Sequence, residues 1–208
     1  MREDHVAIDF WFSIGSTYTY LSVMRLSDVE RTRHVRFNWR PFNVREIMLE
    51  QNNRPFVGKP MKAAYMWRDI QRRAGMYGIP LQVPVPYPLQ EMEFANRVAI
   101  VGASEGWCET YAVETYRCWF QQGLEPGSEP NLSDSLRKVG QDPSRVIAVA
   151  QSDKTGRELH AATEEAQSLG IFGAPTFAVG REIFWGDDRL EDALQWAEFG
   201  SLRSDGRK

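Results

Sequence analysis

The sequence is poor in cysteine and histidine. Among 208 residues there are two cysteines, Cys108 and Cys118, and three histidines, His5, His34 and His160. The cysteines form no C-x-x-C pair and no zinc-type spacing. Both fall in a stretch that reads as helix, roughly three turns apart along its axis, so a bridge within one straight helix is excluded. They read instead as two small buried apolar side chains. No histidine has a partner at metal-ligand spacing, so no metal centre is expected. Positive charge is not in excess either. The net charge is -3, with 25 Lys and Arg against 28 Asp and Glu, and nucleic acid is not expected as a partner. No window approaches about eighteen consecutive apolar residues, so no membrane span is expected. The opening Met1-Arg2-Glu3-Asp4-His5 has mixed charge, and the apolar run after it contains Asp9 and lacks a small-residue cleavage site. It does not read as a signal peptide, and a cytoplasmic location is the expectation. Hydrophobic residues make up 42%, enough for one sizeable core or one domain with a large insertion.

What is present reads as alternating strand and helix at both ends. Val6–Phe12 is rich in β-branched and aromatic residues, interrupted only by Asp9, which suits a strand covered on both faces. Ser13-Ile14-Gly15-Ser16 is a turn. From Thr17 a helix of about fourteen residues is predicted, with Ser16 in its N-cap region. Residues 35–40 alternate apolar and polar until Pro41, giving a second strand, parallel to the first through a right-handed crossover. The middle is helical. Pro60–Tyr77 carries Met61, Ala64, Tyr65, Ile70 and Ala74 at helical spacing and ends at Gly78-Ile79-Pro80. The run Pro84-Val85-Pro86-Tyr87-Pro88 is expected to be extended. Further helices are predicted over Met92–Glu105, 107–121, 133–139, Pro143–Ala150 and 153–169. Thr176–Val179 and Glu182–Trp185 flank Gly180-Arg181 as a hairpin. A last helix over 189–199 carries Leu190, Ala193, Leu194 and Ala197 on one face, and the polar tail after it is expected to fray. The order matches an α/β thioredoxin-like fold whose middle connection is enlarged: residues 1–44 and 151–208 form the thioredoxin-like domain, and 45–150 an all-helical insertion.

Three local sequences carry chemistry. Ser16-Thr17-Tyr18-Thr19 stands after the first strand, where thioredoxin-fold oxidoreductases place C-x-x-C. Free N–H groups and partial positive charge at a helix start stabilise a thiolate there. Ser16 and Thr19 occupy both cysteine positions, so a thiolate at this spot must come from a ligand, and a serine hydroxyl donating to it would lower its pKa. The alternative is that Ser16 is only a helix cap. The second is Phe172-Gly173-Ala174-Pro175-Thr176-Phe177. Pro175 is either a cis proline that exposes the backbone of Ala174 to an extended peptide, or an ordinary trans proline at a strand start. The third is Trp185-Gly186-Asp187-Asp188-Arg189-Leu190. Asp187 and Asp188 either cap the following helix, or receive the α-ammonium of a γ-glutamyl group whose carboxylate meets helix N–H groups.

Taken in order, Asp9-Phe10-Trp11-Phe12, Ser16 to Leu21, Arg40-Pro41-Phe42, Tyr77-Gly78-Ile79-Pro80, Gly170 to Thr176 and Phe184 to Leu190 carry a resemblance over nearly the whole chain. The sequence resembles the 2-hydroxychromene-2-carboxylate isomerases and their relatives, the kappa-class glutathione transferases. That family shares its fold with the oxidoreductase DsbA but has serine at the reactive cysteine. The resemblance implies glutathione as cofactor, Ser16 as the catalytic serine holding its thiolate, and Ala174 before Pro175 pairing with its cysteinyl unit. It implies Trp185, Asp187 and Asp188 at the γ-glutamyl end, and Lys62 near glutathione or the substrate carboxylate. It further implies Asn52 or Asn53 on the substrate side and Tyr87 lining the substrate pocket; among the plentiful aromatic residues, most of which belong to the core, Phe42, Tyr65 and Trp67 are candidate pocket walls. Two departures stand out. Thr17 replaces a proline that often follows the serine and so keeps an N–H donor, and Asp187 stands where Asn or Gln is common.

The implied reaction is a glutathione-dependent isomerisation of 2-hydroxychromene-2-carboxylate or a similar conjugated aromatic acid. A kappa-type glutathione transferase and a non-catalytic thioredoxin-fold binding protein are the alternatives. The ordered match at the γ-glutamyl end favours an active glutathione site. A protein disulfide oxidoreductase is disfavoured, because Cys108 and Cys118 are in the wrong places. The resemblance also implies a homodimer, although no interface is legible in the residues.

Overall fold

The computed structural model describes residues 6–53, 56 and 58–203; His5 and residues 204–208 of the polar tail lie outside them. The first strand forms where the β-branched and aromatic run predicts it. β1 spans Val6–Phe12, and Ile8, Phe10, Trp11 and Phe12 are buried, so both faces are covered. β2 (Val35–Pro41) lies parallel to it, in register from Val6 opposite Val35 to Phe12 opposite Pro41. β3 (Thr176–Val179) is antiparallel to β1, and β4 (Glu182–Trp185) is antiparallel to β3. The sheet order is therefore β2-β1-β3-β4, with β1 central. Phe10 sits at the middle of the core, stacked on Phe177 with ring centres 5.3 Å apart and meeting Trp39 edge-on at 5.0 Å, an arrangement that adds quadrupole attraction to burial.

Between β1 and β2 the predicted single helix is two short ones, α1 (Thr19–Val23) and α2 (Leu26–Arg33). Arg25 N–H donates to the Ser22 carbonyl at 2.8 Å, a tightened turn that breaks the i→i−4 ladder. Ser22 and Arg25 at this break both reach Asp187, 165 and 162 positions away.

Among the described residues, seven helices lie between β2 and β3: α3 (Val44–Glu50), α4 (Pro60–Tyr77), α5 (Met92–Glu105), α6 (Cys108–Gln122), α7 (Asn131–Lys138), α8 (Pro143–Ala150) and α9 (Asp153–Ser168). α10 (Leu190–Phe199) follows the hairpin after a 3₁₀ turn at Asp187–Arg189 and packs on β1, β3 and β4, while α2, α5 and α9 pack against β2. Cys108 and Cys118 are free thiols buried in α6. No helix among the described residues is long and apolar enough to cross a membrane.

Two expectations need correction. α4 buries Met66, Ile70 and Ala74, whereas Met61 and Tyr65 are 87% and 61% exposed. The apolar residues on this helix form two stripes, and only its packing partner selects between them. Nor is the proline loop uniformly extended: it bends repeatedly over residues 83–90, and the Val83–Pro84 and Tyr87–Pro88 bonds are cis.

Candidate functional site

β1 ends at Phe12 and the chain turns through Ser13 to Ser16, where Ser16 N–H closes the turn on the Ser13 carbonyl at 3.0 Å. Gly15 has φ +125°, and a Cβ there would lie 2.7 Å from Cγ and Sδ of Met92. Both facts require glycine. Ser16 is half-buried and does not cap the helix: the N-cap of α1 is Tyr18, without a side-chain cap. Its hydroxyl instead donates to the Ala174 carbonyl at 2.7 Å, across 158 positions of sequence. The alternative of a capping role for Ser16 is thereby set aside. Because α1 is only five residues long, its dipole is small, and charge stabilisation near Ser16 falls to hydroxyl and first-turn N–H donors. Next to it, buried Thr17 donates its hydroxyl to the Met66 sulfur at 3.1 Å, and Tyr18 donates to Asp69 Oδ2 at 3.1 Å.

The Ala174–Pro175 bond is cis. The Pro175 carbonyl accepts Gly186 N–H at 2.9 Å, tying the proline loop to the start of the last helical segment. A cleft of about 240 Å³ opens here, lined by Tyr18, Asp69, Arg73, Ala174, Pro175, Trp185, Gly186, Asp187 and Asp188. Trp185 stands half-exposed at its edge, against Phe172 at 4.8 Å.

Asp187 is 2% exposed. One carboxylate oxygen, Oδ1, accepts from Ser22 at 2.9 Å and lies 3.5 Å from Arg25. The other, Oδ2, is buried and accepts no hydrogen bond. Burial raises the Asp187 pKa above its ordinary 3.8, against the opposing pull of Arg25, Ser22, Arg73 and Tyr77. Asp188 is more open and pairs with Arg189 at 3.4 Å. On the opposite wall burial also works against ionising Asp69, but hydrogen bonds from Arg72 and Tyr18 and the charge of Arg73 hold it below its usual range. Tyr18 is pushed well upward by burial and by Asp69, so it remains a proton donor at neutral pH.

The residues assigned by resemblance thus fall into three places. Ala174, Pro175, Trp185, Asp187 and Asp188 share the cleft; Ser16 is joined to it through the Ala174 carbonyl, whereas Thr17 is buried against Met66 and does not line it. Lys62, Met66, Asp69 and Arg73 follow one another on α4 at spacings that put them on one face. Lys62 therefore lies about one turn beyond Met66, some 6 Å along the axis. Its ammonium sits 5.7 Å from the ring centre of Phe56, which meets Tyr87 edge-on at 5.6 Å, and Trp67 meets Tyr87 at 5.8 Å. Burial pushes the Tyr87 hydroxyl up to about 12.

Asn52 and Asn53 are exposed at the end of α3 and have a structural account of their own. Asn52 adopts φ +52°, and the N–H groups of Asn52 and Asn53 return to the Leu49 and Met48 carbonyls at 3.0 and 2.7 Å. That is the helix-ending motif that favours Asn or Gly. Phe42 is fully buried against Trp11 and Tyr65 lies on the outer surface of α4 beneath Arg72, so neither is a wall of this cleft. Tyr18, Asp69 and Arg73 join the site unannounced by the sequence. Asp69 and Arg73 are i,i+4 neighbours on α4, paired at 3.3 Å, and their phase relative to buried Met66 and Ile70 points them inward.

The family description matching the chain is the DSBA-like thioredoxin domain, over residues 7–195. The chain is 27% identical over 186 residues to a 2-hydroxychromene-2-carboxylate isomerase of Sphingobium xenophagum, covering 88% of this chain and 94% of the relative. It is 27% identical over 210 residues to glutathione S-transferase kappa 1 of Caenorhabditis elegans, covering 90% of each. A solved structure of 2-hydroxychromene-2-carboxylate isomerase superposes with a TM-score of 0.82 at 25% identity, over 92% of this chain and 94% of that one.

Proposed function

The chain belongs to the DSBA-like thioredoxin domain family, and from that premise we propose that it is a glutathione-dependent isomerase of a conjugated aromatic acid of the 2-hydroxychromene-2-carboxylate kind. The observation that carries the reading is Ser16: a hydroxyl stands where family oxidoreductases keep their reactive cysteine, 2.7 Å from the carbonyl that precedes the cis proline. The neighbouring cleft fits the tripeptide on independent grounds. Asp187 Oδ2 is buried without a close hydrogen bond, near the Tyr77 hydroxyl and the charge of Arg73, and a buried carboxylate oxygen of that kind suits a cationic donor such as an α-ammonium.

Glutathione held there would supply a sulfur nucleophile that adds reversibly to the conjugated acid and leaves after a bond has rotated. The chain's own residues do the rest. Ser16 has one proton to give. A negatively charged sulfur is a stronger acceptor than the Ala174 carbonyl, so the hydroxyl turns to it and favours its ionised form. The Ala174 backbone, next to Pro175, aligns the cysteinyl unit, while Asp187 and Asp188 receive the γ-glutamyl ammonium beside Trp185. Lys62, beside the Phe56 ring that in turn meets Tyr87, supplies the cation for the acid's carboxylate, with Asn52 and Asn53 on the substrate side.

The test is an assay of chromene carboxylate isomerisation with and without glutathione, alongside calorimetric titration of glutathione alone. Turnover without glutathione, or no heat of binding, would defeat the reading. Lys62→Met is expected to raise KM for the acid roughly tenfold while leaving glutathione affinity unchanged; an equal loss of both would move Lys62 to the glutathione side. The likeness to a kappa transferase, at the same 27% identity, favours a second reading, transfer of glutathione to an electrophile. Net consumption of glutathione during turnover distinguishes the two.

A further inference from the structure

We propose that Asn96 on α5 and Tyr116 on α6 are positioning residues for Ser16, holding the Ser13–Ser16 turn so that its hydroxyl meets the glutathione sulfur. The inference rests on the functional reading above. Asn96 is fully buried and takes Ile14 as a strand would: its Oδ1 accepts Ile14 N–H at 2.8 Å and its Nδ2 donates to the Ile14 carbonyl at 2.9 Å. The same amide is anchored to its own helix through the Met92 carbonyl at 2.8 Å. Tyr116 is also fully buried, and the single proton of its hydroxyl is shared between the Ser13 carbonyl at 3.0 Å and the Ser16 carbonyl at 3.1 Å. Met92 closes over Gly15 from the same side.

Ser13, Ile14 and Ser16 are therefore gripped by hydrogen bonds from helices 82 to 103 positions away. Buried turn carbonyls need partners in any case. Yet Tyr116 reaches the backbone of Ser16 itself, while the Ser16 side chain is committed at its other end to Ala174. The serine is thus fixed from both sides of the cleft wall. A four-residue turn has few internal restraints, and a displacement of about 1 Å in a catalytic hydroxyl is enough to cost much of its effect. Burial keeps the Tyr116 hydroxyl protonated at all working pH values, so the grip does not titrate.

The experiment compares wild type, Tyr116→Phe and Asn96→Asp with Thr115→Val, reading the ultraviolet thiolate absorbance of bound glutathione against pH, together with kcat and glutathione Kd. Tyr116→Phe keeps the ring and removes only the donor. It is expected to raise the pKa of the bound thiol by roughly one unit and lower kcat roughly tenfold, with Kd changed by less than about twofold. Asn96→Asp keeps the acceptor for Ile14 N–H, loses the donors, and is expected to shift the pKa the same way; it stands in if Tyr116→Phe does not fold. Thr115→Val removes a hydrogen bond of equal burial, from Thr115 to Asn131 at 3.0 Å, and is expected to lower stability without moving the thiol pKa. A wild-type thiolate signal that neither turn variant shifts, or that Thr115→Val shifts equally, would overturn the inference alone. No thiolate signal in the wild type, or one that survives Ser16→Ala, would overturn the functional reading and the inference with it.

Discussion

Ser16→Ala is expected to fold, to bind glutathione, and to lose roughly a hundredfold or more in kcat for glutathione-dependent isomerisation, a loss comparable to removing one donor from a preorganised anion site. The fold survives because the lost bond to Ala174 is half-buried and joins neutral groups, a contribution of about 1 kcal/mol. Catalysis suffers because the hydroxyl stands at the first of the two cysteine positions of family oxidoreductases and reaches the Ala174 carbonyl beside the cleft. The rest of the charge stabilisation is left to a helix of five residues. The thiolate absorbance present near neutral pH in the wild-type complex is expected to move to higher pH in the variant. Equal rates and superimposable thiol titrations for the two proteins would remove Ser16 from the chemistry.

Asp187→Asn is expected to weaken glutathione binding roughly 10- to 100-fold by calorimetry, the loss of a hydrogen bond to a charged partner in a dry site. The substitution keeps the acceptor that Ser22 uses and removes the charge facing the orphaned edge of the carboxylate. The pH dependence has a definite sign. Only ionised Asp187 attracts an ammonium, and its pKa is raised above 3.8 by burial. Wild-type affinity should therefore fall as pH drops through that raised value, and the variant should lack this step. Stability runs the other way. A carboxyl with a raised pKa in the folded state binds more protons there than in the unfolded chain, so its contribution is fully present below 3.8 and is lost as pH rises through the folded pKa. Urea unfolding across that window should show wild type losing stability relative to Asp187→Asn. Glutathione bound equally well by both proteins would place the γ-glutamyl end elsewhere.

Much of this could be read along the chain. The limits of β1, of the β3–β4 hairpin and of α4, α5 and α8 follow from signals that act within a few residues: β-branched runs bounded by turns, and helical spacing ended by glycine or begun by proline. The three local sequences around Ser16, Pro175 and Asp187 were legible for the same reason, since each is a short motif at the end of an element. What each residue does there was not. Ser16 could be read as a helix cap, and it proved to span the cleft to Ala174. Asp187 could be read as a surface cap of the last helix, and it is buried against Ser22 and Arg25.

Sequence by itself determined the order of elements, the parallel β1–β2 unit, and the absence of a protein thiol from the reactive position. Tertiary structure alone decided which stripe of α4 faces inward, that Asp69 and Arg73 form a wall, and that Asn96 and Tyr116 hold the serine turn. The reason is range. Backbone preference and periodicity act over one or two turns, whereas these contacts join residues 49 to 103 positions apart. They exist only once the inserted helices have buried their apolar faces and brought the polar groups between them into hydrogen-bond reach.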